Sequence, residues 1–374
     1  MSSRAAVRDL VVVGGGPVGL AAAVEAALAG LDVLVVEPRT GPVDKACGEG
    51  LMPGALTAVQ RLGVDPPGAA FTGITYVGPD GERTAAHDFR DGPGRGVRRT
   101  VLQAALAERA RALGVPVQVG RVRALDQDGA GVRLRLAGQE PGRTSEVRAR
   151  WVLGCDGLHS TVRRLAGLDA GSDGRRYGVR RHAALAPWSP HVEVHWGRRA
   201  EAYVTPVGPG EVGVAVEGGR GTGFEQALAE LPALRERLAG AAWTTAARGA
   251  GPLRQRVRAR ASGRVLLAGD AAGYVDALTG EGLRVGLAAA RAAVEAVAGG
   301  TASELADRGP ARAGVVARVG AGYERAWREL SRDYRVLTTG LVVATRAPVV
   351  RAGLVPFAAS VPGLFAGAVE RLAR

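Results

Sequence analysis

The first forty residues alternate short apolar runs with glycine turns and an alanine-rich segment. Residues 10–13 are Leu-Val-Val-Val, a continuous apolar run typical of a parallel strand buried on both faces. A glycine-rich turn follows, then an alanine-rich segment from about Leu20 to Ala29. A second apolar run extends from Leu31 to Val36. The pattern predicts strand, turn, helix, turn and strand, and the glycines exclude a membrane span here.

The turn after the first strand has the composition of a phosphate-binding loop. Gly14, Gly16 and Gly19 have the spacing G-x-G-x-x-G between a strand and a helix. Gly14 makes the tight turn, Gly16 lets the backbone approach a pyrophosphate, and Gly19 allows close packing of helix on strand. Pro17 lies within this turn, and the helix N-terminus that follows favours a phosphate. Glu37 ends the second strand, where it can accept hydrogen bonds from ribose hydroxyls.

Two later segments each read as a buried strand that ends in a small residue, an aspartate and a turn. They cover residues 151–165 and residues 264–283. In the second segment, Asp270 is expected at the carboxyl end of its strand, where open α/β sheets bind ligands. A carboxylate there suits the ribityl hydroxyls of a flavin. The helix predicted from Leu283 to about Ala298 would direct its N-terminal dipole at negative charge on a reduced flavin ring.

Together these motifs resemble those of the para-hydroxybenzoate-hydroxylase-like flavoprotein superfamily, which includes FAD-dependent monooxygenases and geranylgeranyl reductases. The resemblance covers about residues 8–300. It implies an α/β fold: a Rossmann-type FAD-binding domain, an antiparallel β-sheet substrate domain and a C-terminal helical extension. It also implies FAD as the cofactor, with NADPH or NADH as the electron donor. The expected cofactor-binding residues are Gly14, Gly16, Pro17, Gly19, Glu37, Arg99, Val122, Asp156, Asp270, Gly280, Gly282 and Leu283.

Some of these roles come from the resemblance alone. Arg99 resembles an arginine on the flavin side, and Val122 resembles a residue that contacts adenine. Asp156, with Gly157, resembles a motif used for both FAD and pyridine-nucleotide binding. Two alternatives stay open: Arg99 as a capping or surface arginine, and Asp156 as a cap of the helix that follows.

The resemblance divides the chain into interleaved domains. Residues 1–70, 95–170 and 255–310 are expected to form the FAD-binding domain. Residues 71–94 and 171–254 are expected to form the substrate domain, and residues 311–374 the C-terminal helical region. Aromatic residues are concentrated in the substrate domain, and core packing is the alternative role for them. The expected substrate contacts are Tyr76, Trp196 and Tyr203.

The segment Lys-Ala-Cys-Gly at residues 45–48 resembles a motif of geranylgeranyl-reductase-like proteins and of related bacterial oxygenases. In those proteins this stretch lies close to the flavin ring, which makes Lys45 and Cys47 candidate catalytic residues. Lys45 is the only lysine in a chain rich in arginine, and the two cations differ in geometry and hydration. A surface role for Lys45 and a small buried role for Cys47 are the alternatives.

Composition narrows the choice of partners. The net charge of +13 comes from arginine spread along the chain, without basic blocks interleaved with aromatic residues, so nucleic-acid binding is not expected. The two cysteines fit no metal spacing or disulfide framework, which predicts no metal site and a cytoplasmic location. Residues 352–369 carry no charge and are interrupted by Pro356 and Pro362. Packing across the catalytic domains is the first interpretation of this tail, and the alternatives are peripheral membrane contact or a channel for a long acyl or prenyl chain.

The predicted function is an NAD(P)H-dependent FAD monooxygenase. It would use molecular oxygen to oxidise a lipophilic aromatic secondary metabolite, such as an alkylated phenol. One alternative is a geranylgeranyl reductase-like enzyme that saturates isoprenoid double bonds. Another is a non-catalytic flavin-binding redox protein. Flavin-dependent halogenases match less well, because the chain has no W-x-W-x-I-P segment.

Overall fold

The structure is a computed structural model that describes residues 7–140, 142–306 and 312–374. Its helices are α1 (Pro17–Leu28), α2 (Pro53–Arg61), α3 (Arg99–Ala112), α4 (Thr161–Leu165), α5 (Phe224–Ala229), α6 (Pro232–Arg237), α7 (Gly282–Ala306), α8 (Arg312–Leu330), α9 (Arg332–Ala344), α10 (Pro348–Ser360) and α11 (Pro362–Ala373). Its strands are β1 (Arg8–Val13), β2 (Val33–Glu37), β3 (Gly50–Leu51), β4 (Ala69–Phe71), β5 (Gly73–Val77), β6 (Thr84–Asp88), β7 (Gly94–Gly96), β8 (Val117–Val119), β9 (Arg121–Gln127), β10 (Val132–Ala137), β11 (Thr144–Gly154), β12 (Arg176–Ala184), β13 (His191–Trp196), β14 (Glu201–Gly208), β15 (Glu211–Gly219), β16 (Ala242–Trp243), β17 (Arg248–Ala250), β18 (Ala261–Ser262) and β19 (Val265–Leu267).

The first sheet has the order β18-β19-β11-β1-β2-β8, with β9 and β10 joined to it through β11. Four consecutive pairs, from β19 to β8, are parallel. β1 is central, and its residues 10–12 are fully buried. The alanines of α1 pack closely on this sheet, and α1 also contacts α3 and α7. The predicted Rossmann-type α/β class is confirmed.

The second sheet has the order β16-β12-β15-β14-β13-β5-β6, with β17 on the outer side of β12. Its strands come from residues 73–88 and 176–250. Every pair is antiparallel except β13 with β5, which run parallel from His191 beside Gly73 to His195 beside Val77. The expected antiparallel sheet thus contains one parallel pair. The two strands are far apart in the chain, so no tight turn forces them to be antiparallel.

Local boundaries differ from the sequence expectation for identifiable reasons. The second strand begins at Val33 rather than Leu31, because Gly30 ends α1 in a left-handed conformation and the Leu31 N–H donates to the Ala26 carbonyl. Pro356 was expected to interrupt the tail, yet it lies inside α10. The carbonyl that it leaves without a helical partner belongs to the exposed Ala352, where water can replace the lost donor.

Helices α8–α11 form the C-terminal region, which contacts both larger sheets. α8 packs on α7 and β18, whereas α10 and α11 pack on the second sheet. The expected domain boundary between residues 310 and 311 lies outside the described residues. Among the described helices, none is by itself long and apolar enough to cross a bilayer. α10 and α11 reach that composition only as a pair, and they meet at 101°.

An ion pair within the core fastens α7 to the first sheet. Arg264, just before β19, donates to the Glu304 carboxylate at 2.6 Å, and both side chains are at least 95% buried. Glu304→Ala would leave a buried guanidinium partly unpaired, so we expect a loss of about 3–5 kcal/mol in the free energy of unfolding. Glu295, in the exposed pair with Arg291 on the same helix, is the control, and Glu295→Ala should cost less than about 1 kcal/mol. Chemical denaturation of both variants measures the difference, and equal losses would contradict it.

Candidate functional site

The carboxyl ends of adjacent parallel strands meet at one edge of the first sheet. The Gly14 turn follows β1, Glu37 ends β2, Asp156 follows β11, and Asp270 follows β19. Because these strands are parallel neighbours, the four positions lie side by side. The structure thus brings together residues that the sequence spreads over more than 250 positions.

The glycine turn holds α1 tightly against the end of β1. A Cβ on Gly19 would lie 1.9 Å from the Gly14 carbonyl oxygen, and a Cβ on Gly14 would lie 2.5 Å from the Cys155 carbonyl oxygen. Neither position accepts a side chain. Gly16 differs, because the nearest atom to a Cβ there is an Nη atom of Arg99 at 3.7 Å. The space over Gly16 is therefore open, as the approach of a pyrophosphate requires.

Glu37 is buried beneath this turn. Its Oε2 accepts a hydrogen bond from the Gly15 N–H at 2.8 Å, and its Oε1 accepts one from Arg39 Nε at 2.6 Å. Gln103, on α3, donates to the Gly15 carbonyl at 2.6 Å and so fixes the other side of the turn. Arg39 is the more exposed partner of Glu37, and a ribose hydroxyl can take its place on Oε1.

Arg99 provides the test of whether the site fits a phosphate-bearing cofactor. It is the first residue of α3, and its guanidinium faces Gly16. Its Nε is buried and has no hydrogen-bond partner among the described residues. A buried donor without a partner costs free energy unless a ligand accepts from it. The unpaired Arg99, the open Gly16 and the N-terminus of α1 together fit the pyrophosphate of a dinucleotide such as FAD.

Lys45 and Asp270 lie at the same cleft. The Lys45 ammonium group is 3.6 Å from where a Cβ of Gly157 would lie. Partial burial lowers the pKa of Lys45, and Arg39 and Arg99 lower it further, although part of the side chain stays accessible to solvent. Desolvation raises the pKa of the Asp270 carboxyl, which the nearby Arg99 and Lys45 oppose.

Asp156 caps α4. One of its oxygens accepts from the Ser160 hydroxyl at 2.5 Å, and the other accepts from the N–H groups of Thr161 and Val162 at 2.6 and 3.1 Å. Both oxygens are thus engaged within the protein, as the capping alternative expects. A direct role of Asp156 toward a nucleotide stays a prediction.

The remaining expected cofactor residues are divided between two places. Val122 lies on β9 with its side chain in the core, so only its backbone can face an adenine. Gly280, Gly282 and Leu283 form the turn that begins α7. This turn adjoins α1, because Val18 lies 2.6 Å from where a Cβ of Gly286 would be.

Sequence reasoning missed a buried network that anchors the Lys45–Cys47 segment. Glu49 is the one non-glycine residue with positive φ among the described residues, at 60°, and it is 5% exposed. Its Oε1 accepts a hydrogen bond from the backbone N–H of Arg99 at 2.9 Å. Its Oε2 lies 2.5 Å from Nε2 of His182, on β12. The Cys47 Sγ accepts from the Glu49 N–H at 3.4 Å. The segment is therefore fixed to both the cofactor cleft and the second sheet.

A second buried cluster joins the second sheet to the α7 turn. The carboxylates of Glu201, Glu217 and Asp276 lie within 4.8 Å of one another. The Arg176 guanidinium donates to all three, so a cation already occupies their centre. Arg351, on α10, donates to the other oxygen of Glu201 at 2.5 Å. The cluster is an ion-pair network rather than a vacant metal site.

The three expected substrate contacts lie between the second sheet and the C-terminal helices. Tyr76 packs on Trp196, with ring centroids 5.4 Å apart, and on Phe365 of α11 at 4.9 Å. The Tyr203 hydroxyl donates to the Leu278 carbonyl at 3.0 Å, which brings this aromatic cluster to the α7 turn. Trp196 Nε1 is buried without a partner among the described residues.

Glu281 is a further residue without an assigned role in the sequence, although it stands as a lone charge between two glycines. It is 1% exposed, and Arg284 pairs with its Oε2. Its Oε1 is buried and has no partner among the described residues. Burial raises the pKa of Glu281 to about 7, with Arg284 opposing the rise and Asp333 adding to it.

A glycine turn of this form at the carboxyl edge of a parallel sheet defines a Rossmann-type dinucleotide-binding fold. Residues 8–305 match the sequence profile of the FAD binding domain family, so the chain belongs to that family and is an FAD-dependent oxidoreductase. The predicted superfamily is thereby confirmed.

Two relatives differ in how much of the chain they match. Menaquinone reductase of Mycolicibacterium smegmatis is 31% identical over 83% of this chain and 80% of its own length. Rifampicin monooxygenase of Streptomyces venezuelae is 36% identical, but over 43% of this chain and 34% of its own length.

Solved structures agree on the fold across the whole chain. A flavin-dependent brominase has a TM-score of 0.80 at 16% identity and covers 98% of this chain and 94% of its own. A geranylgeranyl bacteriochlorophyll reductase-like protein of Thermoplasma acidophilum has a TM-score of 0.77 at 20% identity, over 94% of this chain and 91% of its own. At these identities the similarity shows the fold alone.

Substitutions in the glycine turn should separate the loss of bound flavin from the loss of stability. Gly16→Ala has room for its methyl group, so we expect a folded protein that has lost bound flavin. Gly19→Ala places a methyl group against the Gly14 carbonyl, so we expect loss of both stability and flavin. Gly322→Ala, on α8 with open space around it, is the control. Thermal unfolding and flavin absorbance of the three proteins test this, and full flavin retention by Gly16→Ala would contradict the assigned site.

Glu281 predicts a pH dependence of stability. Its pKa is raised on folding, so its contribution is fully present below about pH 4.5 and is lost as the pH rises through about 7. Relative to the wild type, Glu281→Gln should therefore gain up to about 3 kcal/mol between these two pH values. Denaturation at a series of pH values measures the difference. Glu295→Gln, exposed on α7, should follow the wild-type curve, and a curve for Glu281→Gln that runs parallel to the wild-type curve would refute the shift.

Proposed function

We propose that the protein is an NAD(P)H-dependent FAD monooxygenase that oxidises a lipophilic aromatic substrate, such as an alkylated phenol. The observation that carries the proposal is the aromatic cluster of Tyr76, Trp196 and Tyr203 beside the α7 turn. FAD, when bound, supplies the redox chemistry, taking electrons from NADPH or NADH and reacting with molecular oxygen. The protein then has to position the substrate and exclude water.

The cluster suits an uncharged ring with one polar group. Burial raises the pKa of Tyr76 to about 12, which keeps its phenol neutral. The Tyr203 hydroxyl is already engaged with Leu278, whereas the Trp196 N–H has no partner. An N–H donor within an apolar cluster favours a substrate with a phenolic or quinone oxygen over a plain hydrocarbon.

Residues of the cofactor cleft have matching roles in the proposal. Arg99 and the N-terminus of α1 hold the pyrophosphate, and Glu37 accepts from the ribose. Asp270 accepts from the ribityl hydroxyls, and the N-terminus of α7 stabilises negative charge on the flavin ring. Lys45 lies at the accessible side of the cleft, where its ammonium group can orient an anionic group of the cofactor or substrate.

A reductase that saturates isoprenoid double bonds is the second candidate. The similarity to menaquinone reductase favours it, because that similarity extends over most of both chains. The Lys45–Gly48 motif is compatible with both candidates, because it resembles a motif of geranylgeranyl-reductase-like proteins and of related oxygenases. Both candidates need an apolar substrate region beside the flavin, and they differ in whether the reduced enzyme passes its electrons to oxygen or to an alkene.

Rapid mixing with oxygen separates the candidates. We expect the anaerobically reduced enzyme to pass through a transient absorbing species on mixing with oxygen, and lipophilic phenols to speed its decay. Slow, featureless reoxidation with every phenol would move the assignment to the reductase. If neither NADPH nor NADH reduces the flavin with candidate substrates present, the protein is a non-catalytic redox protein.

Trp196→Phe tests the proposed substrate contact. The variant keeps the ring and removes the N–H donor, so we expect KM for phenols to rise about tenfold, equivalent to one lost hydrogen bond of about 1.4 kcal/mol. The rate of flavin reduction without substrate should stay unchanged. Trp188→Phe is the control, because Trp188 donates to Glu193 and lies outside this cluster. An unchanged KM for Trp196→Phe would place the substrate elsewhere.

A further inference from the structure

Helix α10 buries its one charged residue and exposes three of its large apolar residues. Arg351 is 7% exposed, whereas Val349 is 84%, Val350 45% and Phe357 53% exposed. A surface helix of a globular protein normally has the reverse arrangement, with charge outside and valines inside.

The orientation of α10 is fixed by strong contacts on its inner face. Arg351 donates to the Gly197 carbonyl at 2.7 Å and to Glu201 at 2.5 Å. Val355 and Ala358, on the same face, are at least 93% buried. Turning the helix to bury Phe357 would break a buried ion pair, so the apolar outer face is a consequence of specific packing.

Exposed apolar side chains are also present on the segments that flank α10 in the chain. The end of α9 and the start of α11 add further exposed valine and leucine side chains, and α11 turns away from α10 by 101°. We name this the elbow surface. It consists of Val343, Val349, Val350, Phe357, Val361 and Leu364.

The stretch of chain that carries the elbow surface is basic. Between Val336 and Val369 the chain contains no acidic residue, and its charged residues are Arg346 and Arg351. Arg346 is exposed at the edge of the surface. Beyond these limits, the exposed arginines of α9 and α11 are Arg332, Arg335 and Arg371. The acids of the same helices are Asp333 and the buried Glu370, which pairs with His87.

We propose that the elbow surface docks on the face of an anionic lipid bilayer. Exposed apolar side chains with a basic rim are what an interfacial helix presents to acidic headgroups. α10 has 13 residues, or about 20 Å of helix, which is too short to span the roughly 30 Å of a hydrocarbon core. A symmetric contact with a second copy would bring the same arginines together and is disfavoured.

The docking surface is independent of the proposed reaction. It would bind lipid whether the enzyme oxidises phenols or reduces alkenes, because none of its side chains belongs to the cofactor cleft. It does adjoin the substrate region, since the inner faces of α9 and α10 contribute Val342 and Val355 to the cluster around Trp196 and Tyr203.

Cosedimentation of the flavin-loaded protein with vesicles tests the proposal. We expect binding to vesicles of equal parts phosphatidylcholine and phosphatidylglycerol, and weaker binding to phosphatidylcholine alone. The triple variant Val349→Asp/Phe357→Asp/Leu364→Asp should bind the mixed vesicles at least about tenfold more weakly. Arg346→Gln should weaken binding to the mixed vesicles and leave binding to phosphatidylcholine unchanged.

Control variants distinguish binding through the elbow surface from nonspecific binding of exposed apolar side chains to vesicles. Leu28 of α1 and Val117 of β8 are 52% and 53% exposed. The variants Leu28→Asp and Val117→Asp should bind the vesicles as the wild type does. Flavin absorbance and the melting temperature show that each variant is folded. Wild-type protein that stays in the supernatant, or a triple variant that binds fully, would overturn the proposal. So would a dimer in light scattering that the triple variant converts to monomer, which would assign the surface to a second copy.

Discussion

The contact between Gly19 and the Gly14 carbonyl is the constraint on which the cofactor cleft depends. With room for a hydrogen atom only, α1 lies close against the end of β1, and its N-terminal N–H groups point over the turn. The parallel neighbours of β1 then bring Glu37 and Asp270 to the same edge. A bulkier turn would move α1 away and leave Arg99 facing empty space.

A second constraint connects this cleft to the rest of the molecule. Arg176 donates hydrogen bonds to Glu201 of β14, to Glu217 of β15 and to Asp276, which precedes the α7 turn. Glu201 also accepts from Arg351 of α10. The Tyr334 hydroxyl, on α9, donates to the Asp276 carbonyl at 3.2 Å. Through these contacts the C-terminal helices are tied to the α7 turn as well as to the second sheet.

Local structure could be predicted from the sequence more completely than contacts between distant segments, for a physical reason. A phosphate-binding turn is encoded locally, because Gly14, Gly16 and Gly19 each answer a backbone requirement within six residues. The contact of Glu49 with His182 joins positions 133 residues apart, and the local sequence around either residue does not predict it. The parallel pairing of β5 with β13 was missed for the same reason.

Two charged residues stand out in the local sequence, Glu281 and Lys45. Glu281 stands between two glycines at the start of a helix that is otherwise apolar, and a buried charge at such a place needs an explanation. Lys45 is unusual because it is the only lysine in the chain. Its position beside Gly157 and Asp270 could not be derived from the sequence, because it depends on how three separate segments meet.

Arginine side chains pair with the acids that surround the α7 turn. Burial raises the pKa of Glu217, Asp276 and Glu281, and for Glu217 the neighbouring Asp276 raises it further. Arg176 opposes the rise at Glu217 and Asp276, and Arg284 opposes it at Glu281. The acids around the turn are therefore paired with cations, which offset their charge next to the positive end of the α7 dipole. In the proposed function, this positive end faces the flavin ring.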